Sequence, residues 1–212
     1  SAGVTLAGGV LTVPAGVTSF TITVPTTLDT LDEGASEAYN LSVGGVAATG
    51  TITDDDGAPT FASVSNASAV EASSIVHTVT LSNASASATT YSLSLSDVNA
   101  SGGGVDYTST LTNAAFSNGV TIAAGIITVP AGVASFTVSV PTTGDTIDEV
   151  NETYTLSVGA ASGTGTITDD DAATSVSTVS ADTQVEGTSL VHTVTLSNAS
   201  ASSSSFAYSL GG

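Results

Sequence analysis

The sequence predicts an all-β protein built from tandem β-sandwich domains of about 115 residues each. Three observations support this prediction: the chain repeats itself, apolar residues alternate with polar ones over short runs, and turn-forming residues separate these runs. No stretch has the periodicity and capping residues of an amphipathic helix. A length of 212 residues is enough for two ordinary domains, each with its own core.

The internal repeat defines the expected domain organisation. An offset of 116 relates GVLTVPAGVTSF, from Gly9, to GIITVPAGVASF, from Gly125. An offset of 115 relates VEASSIVHTVTLSNASAS, from Val70, to VEGTSLVHTVTLSNASAS, from Val185. A period of this length suits an independent domain better than a single supersecondary unit of a solenoid. We expect three parts: the C-terminal half of one repeat in 1–57 (the leading half), a complete repeat in 58–171, and the N-terminal half of the next in 172–212 (the trailing half).

Strand signals recur through the complete repeat. Polar and apolar residues alternate over 75–82, 136–140 and 154–158, which is the period of half-buried β-strands. Turn-forming residues separate the strands, for example at 82–85 and 130–132. About seven short strands in a unit of roughly 110 residues predict an immunoglobulin-like sandwich, whose loops gather at two ends.

The charge of the chain points to a bound cation. The sequence contains 19 Asp and Glu residues but no Lys or Arg, which gives a formal net charge of −19. Like charges about 4 Å apart repel by about 4 kcal/mol at an effective dielectric of about 20, so grouped carboxylates must be solvated, protonated or bridged by a cation. Calcium (Ca2+) is the natural cation for all-oxygen ligands. The alternative is an acidic surface that serves solubility or life in salt and needs no ion.

Composition also excludes several functions. A chain without basic residues lacks the contacts that neutralise nucleic-acid phosphates or anionic lipids. No apolar run approaches the ~20 residues that span a bilayer, so we expect neither nucleic-acid binding nor membrane insertion. His77 and His192 occupy equivalent strand positions without a second His or a Cys nearby, and no G-x-S-x-G motif is present. We therefore expect no enzymatic activity.

The acidic residues of the complete repeat fall into segments at predicted strand ends. Four of these segments are VEASS from Val70, GVDY from Gly104, DTIDEVNETYTLSV from Asp145 and GTGTITDDD from Gly163. Their types and order resemble the Calx-beta family, the calcium-binding sandwich of sodium/calcium exchangers, integrin β4 and many bacterial surface adhesins. The resemblance covers the whole complete repeat and implies an immunoglobulin-like Greek-key β-sandwich.

The resemblance also implies a set of calcium ligands. In the complete repeat these are Glu71, Asp106, Asp145, Glu149, Glu152, Asp169, Asp170 and Asp171. In the leading half the corresponding acids are Asp29, Glu33, Glu37, Asp54, Asp55 and Asp56, and in the trailing half Glu186. Asp97 and Asp148 match no ligand position. Other interpretations are that the Asp triplets form charged, flexible linkers and that Glu71 and Glu186 are ordinary solvent-facing residues.

The function these features favour is structural. We expect a repeat of a secreted or cell-surface adhesin or extracellular filament, stiffened by calcium at the domain tips and linkers, with neighbouring repeats or copies of the same protein as partners. Two alternatives stay open: a calcium-sensing regulatory module, and an adhesive domain that binds a ligand.

The two half-repeats would leave apolar strands with unpaired edges. Either they belong to a continuous longer polypeptide, or the trailing half of one molecule completes the leading half of the next by strand complementation.

Overall fold

The computed structural model describes residues 3–211. Within this range the regular structure is β, apart from one short 3-10 helix at Asn113–Ala115. Most strand pairs are antiparallel, and they form several separate sheets. The all-β prediction is therefore confirmed. No helix in the described range is long and apolar enough to span a membrane.

The strands have the following bounds. In the leading half they are β1 Thr5–Ala7, β2 Val10–Thr12, β3 Leu31–Asp32, β4 Glu37–Val43 and β5 Val46–Ile52. In the complete repeat they are β6 Phe61–Val64, β7 Ala67–Val70, β8 Ser74–Leu81, β9 Ala84–Ser85, β10 Thr89–Asp97, β11 Thr121–Ala123, β12 Ile126–Val129, β13 Ser135–Pro141, β14 Ile147–Asp148, β15 Glu152–Val158 and β16 Ala161–Thr168. In the trailing half they are β17 Val176–Val179, β18 Val194–Leu196 and β19 Ala199–Ser200.

The chain divides into two compact units. The first contains the chain up to Thr30 together with Glu37–Ile52, and the second contains Leu31–Ser36 and the chain from Thr53 onward. Within the first unit, β1 pairs with β2 and β4 pairs with β5, each as an antiparallel hairpin. The second unit holds the complete repeat, the trailing half and the segment that contains β3.

Two sheets of the complete repeat share one apolar core. One sheet has six strands in the order β11-β12-β10-β15-β16-β7, and the other has three in the order β13-β8-β6. Alternate residues of β8, β13 and β15 point into the core, which is why Val79, Phe136 and Leu156 are buried while their neighbours along the strand are more exposed. The strands predicted at 75–82, 136–140 and 154–158 are confirmed, with bounds shifted by one or two residues.

A polar network lies inside this core. His77, Tyr107 and Tyr154 are all fully buried. The Nδ1–H of His77 donates to the Ser65 carbonyl at 2.7 Å, so Nε2 accepts from the Tyr154 hydroxyl at 2.9 Å. Burial lowers the pKa of His77, which keeps the imidazole neutral. His77 is therefore a hydrogen-bonded core residue.

The half-repeats expose positions that are buried in the complete repeat. Val79 has no exposed surface, whereas its counterpart in the trailing half, Val194, is 55% exposed. Val140 is also fully buried, whereas its counterpart in the leading half, Val24, is 41% exposed. Valine at these positions is thus buried in the complete repeat, where both sheets are present, and exposed in the half-repeats.

One predicted turn contains a short strand. Residues 82–85 were expected to form a turn, and Ser82 and Asn83 do lie in a bend. Ala84 and Ser85, however, form β9 and pair in parallel with Leu31 and Asp32. The sequence of the turn gives no sign of this pairing, because the partner strand lies in the preceding repeat.

Candidate metal centre

Strand pairing brings the acidic segments of the complete repeat to one edge, which we call the acidic end. Strands β7 and β16 run parallel, so their C-terminal ends lie side by side, and Glu71 and Asp169 follow them directly. Strand β15 is antiparallel to β16 and begins at the same edge with Glu152. Acids that are far apart in the sequence therefore converge at this edge.

The first group of carboxylates consists of Glu71, Asp145 and Asp171. One oxygen from each residue lies within 4.8 Å of the others. The backbone N–H of Asp145 donates to Glu71 Oε2 at 3.1 Å, which holds the two segments together across 74 positions of sequence. Burial is the main reason that the pKa of Glu71 is raised, and the charges of Asp145 and Asp171 raise it further. Two backbone hydrogen bonds to the Glu71 carboxylate act in the opposite direction.

The second group consists of Asp106, Glu149 and Glu152, which are all half-buried and lie within the same 4.8 Å limit. Burial raises the pKa of Glu152 to about 7, assisted by the charge of Asp106 and a side-chain hydrogen bond with it. Burial also raises the pKa of Glu149, and the charges of Asp145 and Asp106 add to the effect. Without a cation, these carboxylates resist full ionisation.

Two carboxylate oxygens at the acidic end are buried without a protein partner. Asp169 Oδ1 and Asp171 Oδ2 have no hydrogen-bond partner among the described residues. Asp169 lines one concavity with members of both groups, among them Glu71, Asp106 and Glu149. A buried carboxylate oxygen without a donor is expensive unless a cation takes the place of the donor.

The donor set fits a hard divalent cation. Calcium takes roughly six to eight oxygen ligands, and three carboxylates offer about six, with backbone carbonyls and water as further donors. The sites contain no Cys or His ligand, which disfavours zinc and copper. The two clusters could therefore bind a metal ion such as calcium.

The leading-half acids behave differently. Asp29 and Glu37 belong to the first unit, whereas Glu33 and the Asp54–Asp56 triplet belong to the second. The carboxylate of Asp54, the counterpart of Asp169, accepts backbone N–H bonds from Glu33 at 2.9 Å and Gly34 at 3.0 Å. A further bond from the Asp56 N–H is the main reason that the pKa of Asp54 is lowered. Backbone N–H groups thus stabilise the Asp54 carboxylate. Its counterpart Asp169 instead lies beside other carboxylates.

The remaining predicted ligands lie outside the two groups. Asp55 and Asp170 are exposed, and so is Glu186 in the trailing half. Neither group includes an acid of the leading or trailing half among the described residues.

Two acids without a predicted role make specific contacts. Asp97 Oδ1 accepts from the Tyr107 hydroxyl at 2.6 Å and from the Gly102 N–H at 2.9 Å, which anchors the loop that carries Asp106. Asp148 contacts Ser200 of the trailing half through its carbonyl and its carboxylate. Neither contact could be predicted from the sequence, in which Asp97 and Asp148 stand out only because they match no ligand position.

Comparison with known proteins gives no match: no protein-family model matches the chain, and no curated protein matches it significantly. The resemblance to the Calx-beta family therefore stays a prediction that depends on the four acidic segments quoted above.

Proposed function

We propose that the chain is a segment of a tandem array of Calx-beta-like β-sandwich repeats, in which calcium bound at the acidic end stabilises each repeat. The array is a non-enzymatic, load-bearing or spacing part of a secreted or cell-surface adhesin or filament. The observation that carries the proposal is the convergence of two carboxylate groups on one edge of a chain that has no Lys or Arg to neutralise them.

The fold of the complete repeat supports this proposal. A six-stranded and a three-stranded sheet that share one core are the arrangement expected of a sandwich. The acidic end gathers the four segments that carry the resemblance. A domain that reappears with nearly unchanged sequence at a fixed period suits a mechanical or spacing role, since such a role needs many equivalent units.

The half-repeats support an array through the strands they contain. In the complete repeat, β8 pairs with β13 over seven residues, from Ser135↔Thr80 to Pro141↔Ser74. The counterpart of β8 lies in the trailing half and that of β13 in the leading half. Completion of a half by a neighbouring repeat, in the same polypeptide or in another copy of the protein, would produce a continuous line of repeats.

Thermal unfolding in calcium and in chelator tests the proposal. A ligand present at about 100 times its dissociation constant stabilises the folded state by about 2.7 kcal/mol, so we expect calcium to raise the Tm by about 10 °C. Asp145→Asn should remove most of this gain, whereas Asp182→Asn, outside both groups, serves as the matched control and should retain it. Equal melting of the wild-type chain in calcium and chelator would refute the proposed calcium role.

Small-angle scattering on the same samples tests the mechanical part of the proposal. Calcium should give an extended particle with a narrow spread of lengths, and chelator a more flexible one. A calcium-dependent partner that binds without any change in stiffness would instead indicate a sensor.

A further inference from the structure

The chain contains two junctions between successive repeats, and both use the same contacts. At the first junction, β3 pairs in parallel with β9 through Leu31↔Ala84 and Asp32↔Ser85. The Asp32 carbonyl accepts from the Ala86 N–H at 2.7 Å and from the Ser85 hydroxyl at 3.2 Å. These atoms all belong to one compact unit.

The second junction repeats this geometry one period later. Strand β14 pairs in parallel with β19 through Ile147↔Ala199 and Asp148↔Ser200. The Asp148 carbonyl accepts from the Ala201 N–H at 3.0 Å and from the Ser200 hydroxyl at 3.1 Å. Two segments separated by one full repeat have therefore folded into the same contact.

A third hydrogen bond ties the connecting chain to each junction. Asn83 Nδ2 donates to the Gly57 carbonyl at 2.8 Å, and Asn198 Nδ2 donates to the Ala172 carbonyl at 2.7 Å. The six-residue sequence SNASAS is identical in both copies, at 82–87 and 197–202. In the first copy Ser85 is only 7% exposed. A loop of small polar residues at the surface of a domain is ordinarily solvated, so its burial reflects the segment that covers it.

We propose that the SNASAS loop is a docking surface for the preceding repeat, whose Leu-Asp or Ile-Asp dipeptide adds to it as a two-residue parallel bridge. The partner is thus another repeat of the same protein, and the inference rests on the proposed function as a tandem array. Recognition runs mainly through backbone groups, because the two dipeptides differ in their first side chain and yet share the strand pairing and both bonds to the Asp carbonyl. The second junction adds a bond from the Ser200 hydroxyl to the Asp148 carboxylate.

Docking and the acidic end share one segment of chain. Asp145 and Glu149 contribute to the two carboxylate groups, whereas Ile147 and Asp148, between them, contact the next repeat. The direct bonds of the docking surface use none of the six carboxylates of the two groups.

Distance measurement between spin labels tests the docking surface in the full chain. The absence of native Cys allows labels at two exposed strand positions, through Thr164→Cys in β16 and Thr195→Cys in β18. Ala201→Pro removes the N–H that bonds to Asp148, and Ser200→Ala removes the hydroxyl. Ser203→Pro and Ser204→Ala are the matched controls outside the bonded residues.

We expect a narrow distance distribution in the double-Cys parent and both controls. In calcium, Ala201→Pro should widen it at least about twofold, because it removes the backbone bond to the Asp148 carbonyl and so breaks the β14–β19 bridge, and Ser200→Ala should widen it less. An unchanged Tm of the main unfolding transition verifies that the complete repeat is intact. Distributions in both variants that are no wider than in their controls would overturn the docking surface.

The chelator arm separates this inference from the proposed calcium role. If the parent stays narrow in chelator while Ala201→Pro is broad in both conditions, the docking surface holds even though calcium does not stiffen the junction. If chelator broadens the parent and Ala201→Pro stays narrow in calcium, ions alone fix the junction and the docking surface is wrong.

Discussion

Gly165 leaves room for the ring of Tyr154, its partner on the neighbouring strand. A Cβ on Gly165 would overlap the ring of Tyr154 at Cζ. The ring stacks on Tyr107 with centroids 4.6 Å apart, and its hydroxyl reaches His77. The same pair recurs in the leading half, where Gly50 faces Tyr39. Gly165 therefore makes room for the hydrogen-bonded aromatic network of the core, and Gly50 makes the same room for the ring of Tyr39.

Gly165→Ala should destabilise the protein by about 1–3 kcal/mol, since the added methyl group overpacks a close contact. Gly57→Ala is the control, because a Cβ there meets no atom within 4 Å. Urea denaturation measures both. A Gly165→Ala variant as stable as the control would show that Tyr154 does not depend on this contact.

His77 makes the stability of the protein dependent on pH. Its folded-state pKa is lowered by burial, so the unfolded chain binds a proton more readily. The stability contributed by neutral His77 is fully present above its unfolded pKa of about 6.5 and is lost as the pH falls toward the folded value, by at most about 1.4 kcal/mol per pH unit.

Denaturation of the wild-type protein and of His77→Gln, each at about pH 7.5 and about pH 5, measures this contribution. The other titrating groups are common to both proteins, so the difference between them reports the charge of His77. Acidification should change the stability of the wild-type protein less favourably than that of His77→Gln, in which the titrating group is absent. An equal change in both proteins would mean that the imidazole is not held neutral.

At the scale of the elements, the sequence identified the acidic segments but not how they combine. The segments are contiguous in sequence, so VEASS, GVDY, DTIDEVNETYTLSV and GTGTITDDD could be read directly. The division into two groups depends on long-range pairing, such as the parallel β7–β16 pair. Within the DDD triplet, Asp169 and Asp171 have buried oxygens while Asp170 is exposed, a difference that three identical residues do not reveal in the sequence.

Glu149→Gln should have opposite effects with and without calcium. In chelator it should stabilise the protein by about 1 kcal/mol, because it removes one charge from a group of repelling carboxylates. In calcium it should lower the stability gain, because it also removes a ligand. Asp182→Asn removes a charge outside the groups and should lower the stability in both conditions, since its carboxylate accepts the Val191 N–H. A Glu149→Gln variant that is destabilised in chelator would contradict the repulsion.

At the scale of the whole molecule, the internal repeat predicts three parts, whereas the structure divides the chain into two compact units. The apolar core of the second unit lies within residues 58–171, the range of the predicted complete repeat. The junction contacts could not be predicted, because SNASAS has the composition of an ordinary turn and its partner is a dipeptide in the preceding repeat. Both halves expose apolar residues, for example Val24 and Val194.

The isolated 212-residue chain should associate reversibly at high concentration, since each half exposes strands that the other half can cover. Association should be weak, because a domain completed by two copies lacks counterparts of about residues 98–116, including the buried Tyr107. Sedimentation velocity measures it. Val194→Asp should reduce association and Thr195→Asp, at the adjacent position, should not. A chain that stays monomeric at all concentrations would favour completion by further chain alone.

A crystal structure of the chain grown in millimolar calcium tests the central claim most directly. The account predicts metal density between Glu71, Asp145 and Asp171 or between Asp106, Glu149 and Glu152, with metal–oxygen distances of about 2.3–2.6 Å. Carboxylates that point away from one another into water, with no metal density between them, would contradict it.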